Sequence, residues 1–597
     1  MHRGAFAVGM HDGQRPWLAG RVRRCPAACG WPRWLPGVLW LACFEAVVLT
    51  PMPVSAANTE PRDIAVDLQR ERLEQWRREL NRRAAVLDAG PQAAWVQPPD
   101  DDVPCFVVTR FVLTTGDAAV PELHGLLQNL GRYPGACLGV RGIETLRSNL
   151  ESRLVLKGYV TSTLALAEQN LGLGTLTFAL QPGRVDAVLI EADAGTRLPA
   201  ANALPLQQGK VLNLRDIEQA LENLARLPSQ ASQFRIEPGE LPGTSRVVLH
   251  PAGGPRWRGQ VGAESTESDD YGPLAYNARF TLDAPFDRSD QIGAVASLGQ
   301  RNDGGQAARQ STLLLSYSIP WGYHLLSVNL SHAAHQRLIS GGVSLLRETG
   351  VDSQLQARWQ WTAWRNQSAR LMLSAGGSAR QARTYLEDVE LLLRRRDSSA
   401  LDLGASGWMR HGCGDLAADL DYSHTLRLAR DADFQPGPVP LPQTWRLEMR
   451  YGCQLDALFK APWRLDARWS SQGVRQPSSG VDLVSLGGRW TVRGYTPRQS
   501  LTGEAATLLR HDLIAPAQAL GQTGQVQPFL GLDIGRIHRT VGDSSGPRTF
   551  AGLAAGLRGA WSAVVAELVA ARPLRPADGA AGQGSGAVIH GSLTFQF

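Results

Sequence analysis

From about Trp257 to Phe597, over roughly 340 residues, helical spacing becomes scarce and alternation of apolar and polar side chains at every second position becomes frequent. In one stretch Leu355, Ala357, Trp359 and Trp361 form one face and Gln356, Arg358 and Gln360 the other. The last stretch repeats the pattern, with Ile589, Gly591, Leu593, Phe595 and Phe597 set against His590, Ser592, Thr594 and Gln596. A strand sends successive side chains to opposite faces, so each stretch is a strand that is apolar on one side and wet on the other. A soluble sandwich also alternates. However, tight turns such as Pro320-Trp321-Gly322 alternate with long loops, and Arg, Gln and Asp crowd the polar face. That combination fits a closed outer-membrane barrel with a wet lumen. At about 20 residues per strand and connection, such a length predicts about 16 strands, an even number as bacterial barrels require.

Bulk properties narrow the remaining classes. The 597 residues carry a net charge of +6, with 19% charged side chains and a mean hydropathy of −0.18. The basic residues are scattered, with dense runs only at Arg21-Val22-Arg23-Arg24 and Arg394-Arg395-Arg396, so no nucleic-acid partner is expected. Beyond the N-terminus there is no apolar run of about 18 residues that would span as a helix. The N-terminus itself reads as an export signal over residues 1–57. Arg21, Arg23, Arg24 and Arg33 precede the apolar run Leu35–Leu49, and Val54-Ser55-Ala56 offers a small-residue cleavage site. The basic region is long and Glu45 interrupts the apolar run, so Met10 is an alternative start. An anchoring helix and a lipidated Cys43 are weaker readings, because Pro51 and Pro53 follow at once and Trp40 stands where a leucine would be wanted.

Of seven cysteines, Cys25, Cys29 and Cys43 leave with the signal, and Cys105, Cys137, Cys413 and Cys453 remain. An even number in an exported chain permits disulfides. None is in C-x-x-C spacing, so neither zinc nor thioredoxin-like redox chemistry is expected.

Ahead of the alternating region the period changes. Residues 63–88 read as an amphipathic helix within a segment at 58–90. Leu73, Trp76, Leu80, Ala84 and Leu87 lie on one stripe, Glu74/Arg78 and Glu79/Arg83 pair at i,i+4, and Gly90-Pro91 ends it. A Pro- and Asp-rich linker at 91–104 follows. Two small β/α units come next, at 105–182 and 183–252, before the barrel at 255–597. In the first, Phe106–Val108 and Leu176–Leu180 are strands around a helix at 143–156. In the second, Val185–Ile190, Phe234–Ile236 and Arg246–Leu249 are strands, and Asn213 caps a helix at 214–227 that carries Ile217, Leu221 and Leu224.

The segment Leu486-Gly487-Gly488-Arg489-Trp490-Thr491-Val492-Arg493-Gly494-Tyr495 sits within the barrel region. By itself V-R-G-Y is any turn. Its companions, in order, are Gly158-Tyr159-Val160-Thr161-Ser162 with Glu168-Gln169-Asn170-Leu171, Leu212–Gln219 (LNLRDIEQ), Pro238–Ser245 (PGELPGTS) and Gly531-Leu532-Asp533. With these motifs the chain resembles the TpsB-type transporters of two-partner secretion, the ShlB/FhaC/HecB-like haemolysin activation/secretion family. The resemblance covers nearly all of the mature chain. It departs at Ala505–Asp512, where the family has a glycine and R-N-E, which leaves the register of that strand open. The stretch 383–399 also has little pattern.

The resemblance implies a mostly β fold, a 16-stranded transmembrane β-barrel preceded by two α/β POTRA domains and a plug-like helix at 58–90. It implies an outer-membrane location in a Gram-negative bacterium, with the POTRA domains in the periplasm. The function implied is recognition of an unfolded exoprotein and its passage to the cell surface, with no enzyme activity, cofactor or metal. The partner would be a large adhesin, haemolysin or contact-dependent toxin with an N-terminal secretion domain. Outer-membrane lipid and the barrel-assembly machinery are the other expected partners, the latter through the terminal Phe597. Val492, Arg493, Gly494 and Tyr495 correspond to the loop-6 signature, and Arg493 would pair with Asp533 in the lumen. Cys105 and Cys137 match the family's usual cysteine pair and would be bonded. Cys413 and Cys453 fall near the periplasmic ends of neighbouring strands, within reach of a second bond. A barrel-assembly or lipid-handling relative and a barrel-borne surface hydrolase are the alternatives. The hydrolase would use Gly542-Asp543-Ser544-Ser545-Gly546-Pro547, which satisfies G-x-S-x-G, and Ser331-His332-Ala333-Ala334-His335. Both segments are expected in surface loops without a strand-to-helix elbow, so this resemblance to a triad is taken as chance.

Overall fold

The structure is a computed structural model. It describes residues 95–597 except 101, 115–132, 192–197, 267–270, 304–305, 341–343, 427–440, 456–460, 476–482, 497–498, 541–547 and 576–585. The export signal, the amphipathic helix at 63–88 and the segment Gly542–Pro547 therefore lie outside the described residues.

The first module contains β1 (Phe106–Val108), β2 (Arg110–Thr114), β3 (Ala136–Leu138), α1 (Val140–Leu156), β4 (Thr163–Leu166) and β5 (Thr175–Gln181). Strand β5 lies between β2, which it meets in parallel, and β4. The i, i+3, i+4 stripe of α1 packs Ile143, Leu146, Leu150 and Leu154 onto Leu164, Leu176 and Phe178. Part of the stretch read as linker packs on this module. Asp102 Oδ2 accepts the Gly142 N–H at 2.6 Å, supplying the cap that Gly139 cannot. Asn149 exchanges two hydrogen bonds with the Val96 backbone.

The second module contains β6 (Arg184–Ile190), α2 (Leu214–Ala225), β7 (Ser232–Pro238) and β8 (Thr244–Pro251), with β8 central. Asn213 caps α2 by accepting the Arg215 N–H at 2.8 Å. Ile217, Leu221 and Leu224 meet Val185, Val247 and Leu249 in the core.

Sixteen long strands close the barrel. They are β9 (Trp257–Ser265), β10 (Leu274–Asp283), β11 (Gln291–Asp303), β12 (Gln306–Trp321), β13 (His324–Ser340), β14 (Leu345–Arg365), β15 (Ala369–Leu386), β16 (Arg396–His411), β17 (Gly414–Leu426), β18 (Gln443–Gln454), β19 (Arg464–Arg475), β20 (Leu501–Ile514), β21 (Gly524–Thr540), β22 (Arg548–Trp561), β23 (Val564–Pro573) and β24 (Val588–Gln596). Three shorter strands, Val389–Glu390, Val484–Leu486 and Gln518–Leu520, add to this sheet. All barrel pairings are antiparallel, and β24 returns to β9. Closure removes the sheet edges, so the strands pair their backbone groups with one another and not with water.

Alternation sets the two surfaces. Leu355, Trp359, Trp361, Ile589, Leu593 and Phe595 are exposed on the outside, while His590 is only 1% exposed. The inner wall is charged and cross-linked. Arg358 Nη1 lies 2.9 Å from Asp421, Arg380 pairs with Asp352, and Glu348 holds Arg337 and Arg394.

One expectation is overturned. Ser331–His335 is not a loop but the interior of β13, where the backbone ladder to β14 runs unbroken. His332 Nδ1 shares a hydrogen bond with Ser353 on β14. The apolar spacing of this stretch is weak because His335 faces the lumen while His332 interrupts the outer row begun by Leu326 and Leu330, and that is why it resembles a loop. The patternless stretch 383–399 is the far end of the β15–β16 hairpin, which stays in register up to Ala382↔Arg396.

Candidate functional site

The chain between β19 and β20 folds inward. Val484–Leu486 pairs with the start of β20, and residues 487–496 form a tip against the wall made by β20, β21 and β22. The tip is closed by its own backbone. Gly488 N–H donates to the Val492 carbonyl at 3.0 Å, and the Thr491 hydroxyl accepts the Gly487 N–H at 3.0 Å. Val492 seats among Leu486, Leu508, Ile537 and Phe550. The Tyr495 ring meets Phe550 edge-on at 5.0 Å, and its hydroxyl lies 3.0 Å from both the Ala551 and Arg575 carbonyl oxygens. Gly494 has φ +96°, and a Cβ there would stand 2.3 Å from the Arg572 backbone, so only glycine fits.

Arg493 is fully buried. Its Nε and Nη2 each donate to one oxygen of Asp533, both at 2.7 Å, and its backbone N–H donates to Oδ2 at 3.0 Å. Nη2 also donates to Asp512 Oδ1 at 2.6 Å. The strand register explains why two carboxylates meet one guanidinium. Asp512 on β20 faces Gly531 on β21, and Asp533 lies two residues along on the same face as Gly531. The guanidinium lies over Gly531, where a Cβ would stand 2.1 Å from Nη2. A planar fork satisfies a carboxylate at two points, which a lysine ammonium cannot do. Removing one partner from a buried pair of this kind costs about 3–5 kcal/mol, because the other charge is left desolvated.

The pair is one link in a chain of alternating charge. Arg558 donates to Asp512 Oδ2 at 3.1 Å and to Glu567 at 2.9 Å, and it stacks over Phe529 at 4.2 Å. Arg489, from the loop, reaches Glu567 at 3.3 Å and Glu264 at 3.6 Å. Arg510 lies 3.9 Å from Asp533. Four guanidinium groups (489, 493, 510, 558) thus face four carboxylates (264, 512, 533, 567), a neutral set in a low-dielectric wall.

Val492, Arg493, Gly494, Tyr495 and Asp533 are therefore brought together. Phe597 lies elsewhere, at the foot of the β24–β9 seam, exchanging backbone hydrogen bonds with Gly259. Cys105–Cys137 and Cys413–Cys453 are both bonded, with Cα atoms 5.3 and 5.0 Å apart. The second bond joins the β16–β17 turn to β18, where Cys453 faces Gly414. Sequence reasoning missed Asp512, Arg489, Arg510, Arg558, Glu567 and Glu264. For Asp512 a signal existed. Arg510-His511-Asp512 keeps the arginine and the acid of R-N-E two residues apart, hence on one face.

A second cluster joins the last module to the barrel. The polar face of α2 (Arg215, Glu218, Gln219, Glu222 and Asn223) is buried. Arg365, at the end of β14, donates to Gln219 at 2.8 Å and pairs with Glu222, and Arg370 on β15 pairs with Glu222 as well. Asn223 donates to the Gly322 carbonyl at 2.7 Å, and Tyr323 donates to Asp216 at 2.6 Å. Burial pushes the Asp216 carboxyl above its usual range, and the Tyr323 hydroxyl draws it part of the way back. Tyr323→Phe leaves that half-buried carboxylate short of a donor, at a cost of about 1 kcal/mol. The expected result is faster amide exchange across 198–229 with the barrel strands unchanged; an unchanged rate would remove Tyr323 from the docking contact.

A closed 16-stranded barrel with an inward loop and two β/α modules on its periplasmic side defines an outer-membrane transporter of the POTRA-bearing class. The profile for haemolysin secretion/activation protein ShlB/FhaC/HecB matches residues 243–559, that for the ShlB-type POTRA domain 106–183, and that for the POTRA domain 184–238. The chain belongs to the ShlB/FhaC/HecB haemolysin secretion/activation family. Among curated relatives, the outer membrane transporter CdiB-2 of Burkholderia pseudomallei (strain 1026b) is 26% identical over 494 residues, 78% of this chain and 82% of the relative. The hemolysin transporter protein ShlB of Serratia marcescens is 27% identical over 444 residues, 72% of this chain and 76% of the relative. The solved structure of CdiB from Escherichia coli superposes with a TM-score of 0.78 at 23% identity, over 91% of this chain and all of that one, a likeness of fold.

Proposed function

We propose that this outer-membrane protein takes up an unfolded exoprotein through its two periplasmic modules (105–182 and 183–252) and passes it through the barrel to the cell surface. The observation that carries the reading is the loop tip held inside a polar-walled barrel by a buried Arg493–Asp533 pair. Such a loop is an internal element with a seated position, which suits a pore that changes state and has no bond chemistry to perform. Among the described residues the sheets have β2 and β4 at the edges in the first module and β7 in the second, and an extended client can add a strand to such an edge. Backbone pairing tolerates many sequences, as capture of an unfolded chain requires. The client would be a large adhesin, haemolysin or contact-dependent toxin. The apolar outer band faces lipid, and Phe597 at the seam is the element offered to the assembly machinery.

Binding of residues 105–250 to the N-terminal secretion domain of a large exoprotein tests the reading. Saturable binding, with export of that exoprotein only when the full chain is present, is the expected result. Loss of other outer-membrane proteins upon deletion, without any exported client, would point instead to a barrel-assembly role. The helix at 63–88 is proposed to plug the resting pore. Deleting it should raise single-channel conductance in planar bilayers, and an unchanged conductance would remove the plug from the scheme.

A further inference from the structure

Among the described residues, the seam between β24 and β9 is the shortest pairing between neighbouring long strands of the barrel. It has five partnered positions, from Ser592↔Glu264 to Gln596↔Gln260, against seventeen between β13 and β14. At its foot Phe597 and Gly259 extend it with two backbone hydrogen bonds of 3.0 and 2.9 Å. At the other end, remote from the periplasmic modules, the ladder stops one position early. Where Ser265 would face Gly591, side chains replace the backbone exchange. The Gly591 N–H donates to Ser265 Oγ at 2.9 Å, and that hydroxyl lies 3.3 Å from the Gly591 carbonyl oxygen. The same carbonyl also accepts from Arg489 Nη1 at 3.4 Å.

Arg489 belongs to the inward loop, on the segment that ends in Arg493. Its side chain is 7% exposed and reaches both sides of the seam, Glu264 on β9 at 3.6 Å and the Gly591 carbonyl on β24 at 3.4 Å. It also contacts Glu567 on β23 at 3.3 Å. The loop backbone at this point is held by Arg510, whose Nη1 donates to the Arg489 carbonyl at 2.9 Å. A guanidinium has donors on three nitrogens in a rigid plane, so it can hold two carboxylates and a carbonyl at once.

We infer that Arg489 is a positioning residue that braces the first-to-last strand seam from inside the barrel, so that seating of the inward loop and closure of the seam are one coupled event. The loop carries two arginines with different tasks. Arg493 anchors the tip on the β20–β21 wall, and Arg489 joins the tip to the pairing with the fewest backbone hydrogen bonds to spare. A loop that leaves its socket takes the brace with it and exposes the upper end of the seam. This inference concerns the barrel alone and does not depend on the identity or the existence of a client.

Hydrogen exchange on the full chain in detergent micelles tests it, comparing the wild type with Arg489→Gln, Ser265→Ala and Arg493→Ala. Loss of a charge-assisted hydrogen bond from a locally opening segment raises its exchange by about tenfold. Arg489→Gln should accelerate peptides covering 257–265 and 588–597 by that factor and leave 324–340 unchanged. Ser265→Ala, which removes no loop contact, should act at the same peptides. Arg493→Ala should unseat the loop and accelerate the seam as well, although it removes no contact there. Two outcomes overturn the inference: seam peptides that exchange at the wild-type rate in Arg489→Gln, or an acceleration shared equally by all strands. A seam that stays protected in Arg493→Ala while the loop itself becomes exchangeable would also overturn the coupling.

Discussion

Arg493→Ala abolishes export while the barrel still inserts and migrates as a folded species on semi-native gels. The substitution strips Asp533 and Asp512 of the donor they share at 2.7 and 2.6 Å. It leaves Asp533, which is fully buried, with only the backbone N–H of residue 493 and a distant Arg510. Breaking a buried pair in this way costs about 3–5 kcal/mol. At 1.4 kcal/mol per decade, the seated loop loses roughly two to three and a half orders of magnitude in population. The barrel survives because its strands are joined by backbone ladders that Arg493 does not enter. Arg493→Lys keeps the charge but loses the fork, and it should recover only a minor part of the export. Asp533→Ala should match Arg493→Ala, and the double variant should be no worse than either, since the two residues act as one unit. Export at the wild-type level in Arg493→Ala, measured as client in the medium per folded barrel, would remove the anchored loop from the transport scheme.

Gly531→Leu should be as severe without removing any charge. A Cβ at 531 would lie 2.1 Å from Arg493 Nη2 and 2.6 Å from its Cζ, so a leucine occupies the space of the guanidinium itself. Strand β21 keeps its ladder on both sides, because Gly531 pairs with Asp512 and Ala554 through backbone only. The expected result is a folded barrel with an unseated loop, recognised by protease cleavage within 486–501 and by loss of export. A leucine variant that resists cleavage and exports normally would mean that the wall does not need to receive Arg493. Gly531→Ala, a smaller intrusion, should fall between the two, as overpacking costs about 1–3 kcal/mol.

The legibility of this protein in its sequence followed a physical divide. Period-two alternation survived in the barrel because one face meets lipid and the other a wet lumen, and no long-range contact is needed to select between them. Helix α2 was legible by its apolar stripe and by Asn213, but its second role was not. Glu218, Gln219, Glu222 and Asn223 look like a solvated face in sequence, whereas the β12–β13 and β14–β15 ends cover them. Ser331–His335 misled for a related reason. His335 lines the lumen but His332 stands on the outer face after Leu326 and Leu330, and a strand with a polar residue on each face loses the contrast that marks a strand.

The sequence by itself determined the sixteen-strand architecture, the two preceding modules and the identity of Arg493 as a residue with a partner. These depend on local alternation, on caps and on motifs that each sit within a few residues of one another. Only the tertiary structure decided that Arg493 meets Asp512 as well as the expected Asp533, and that Arg489 turns to the seam. Those contacts depend on the register between β20 and β21 and on a loop that returns to strands far away in the chain, from β9 at one end to β23 and β24 at the other. A shift of one residue in that register would send Asp512 to the lipid face, and nothing within the loop itself specifies which register the wall adopts.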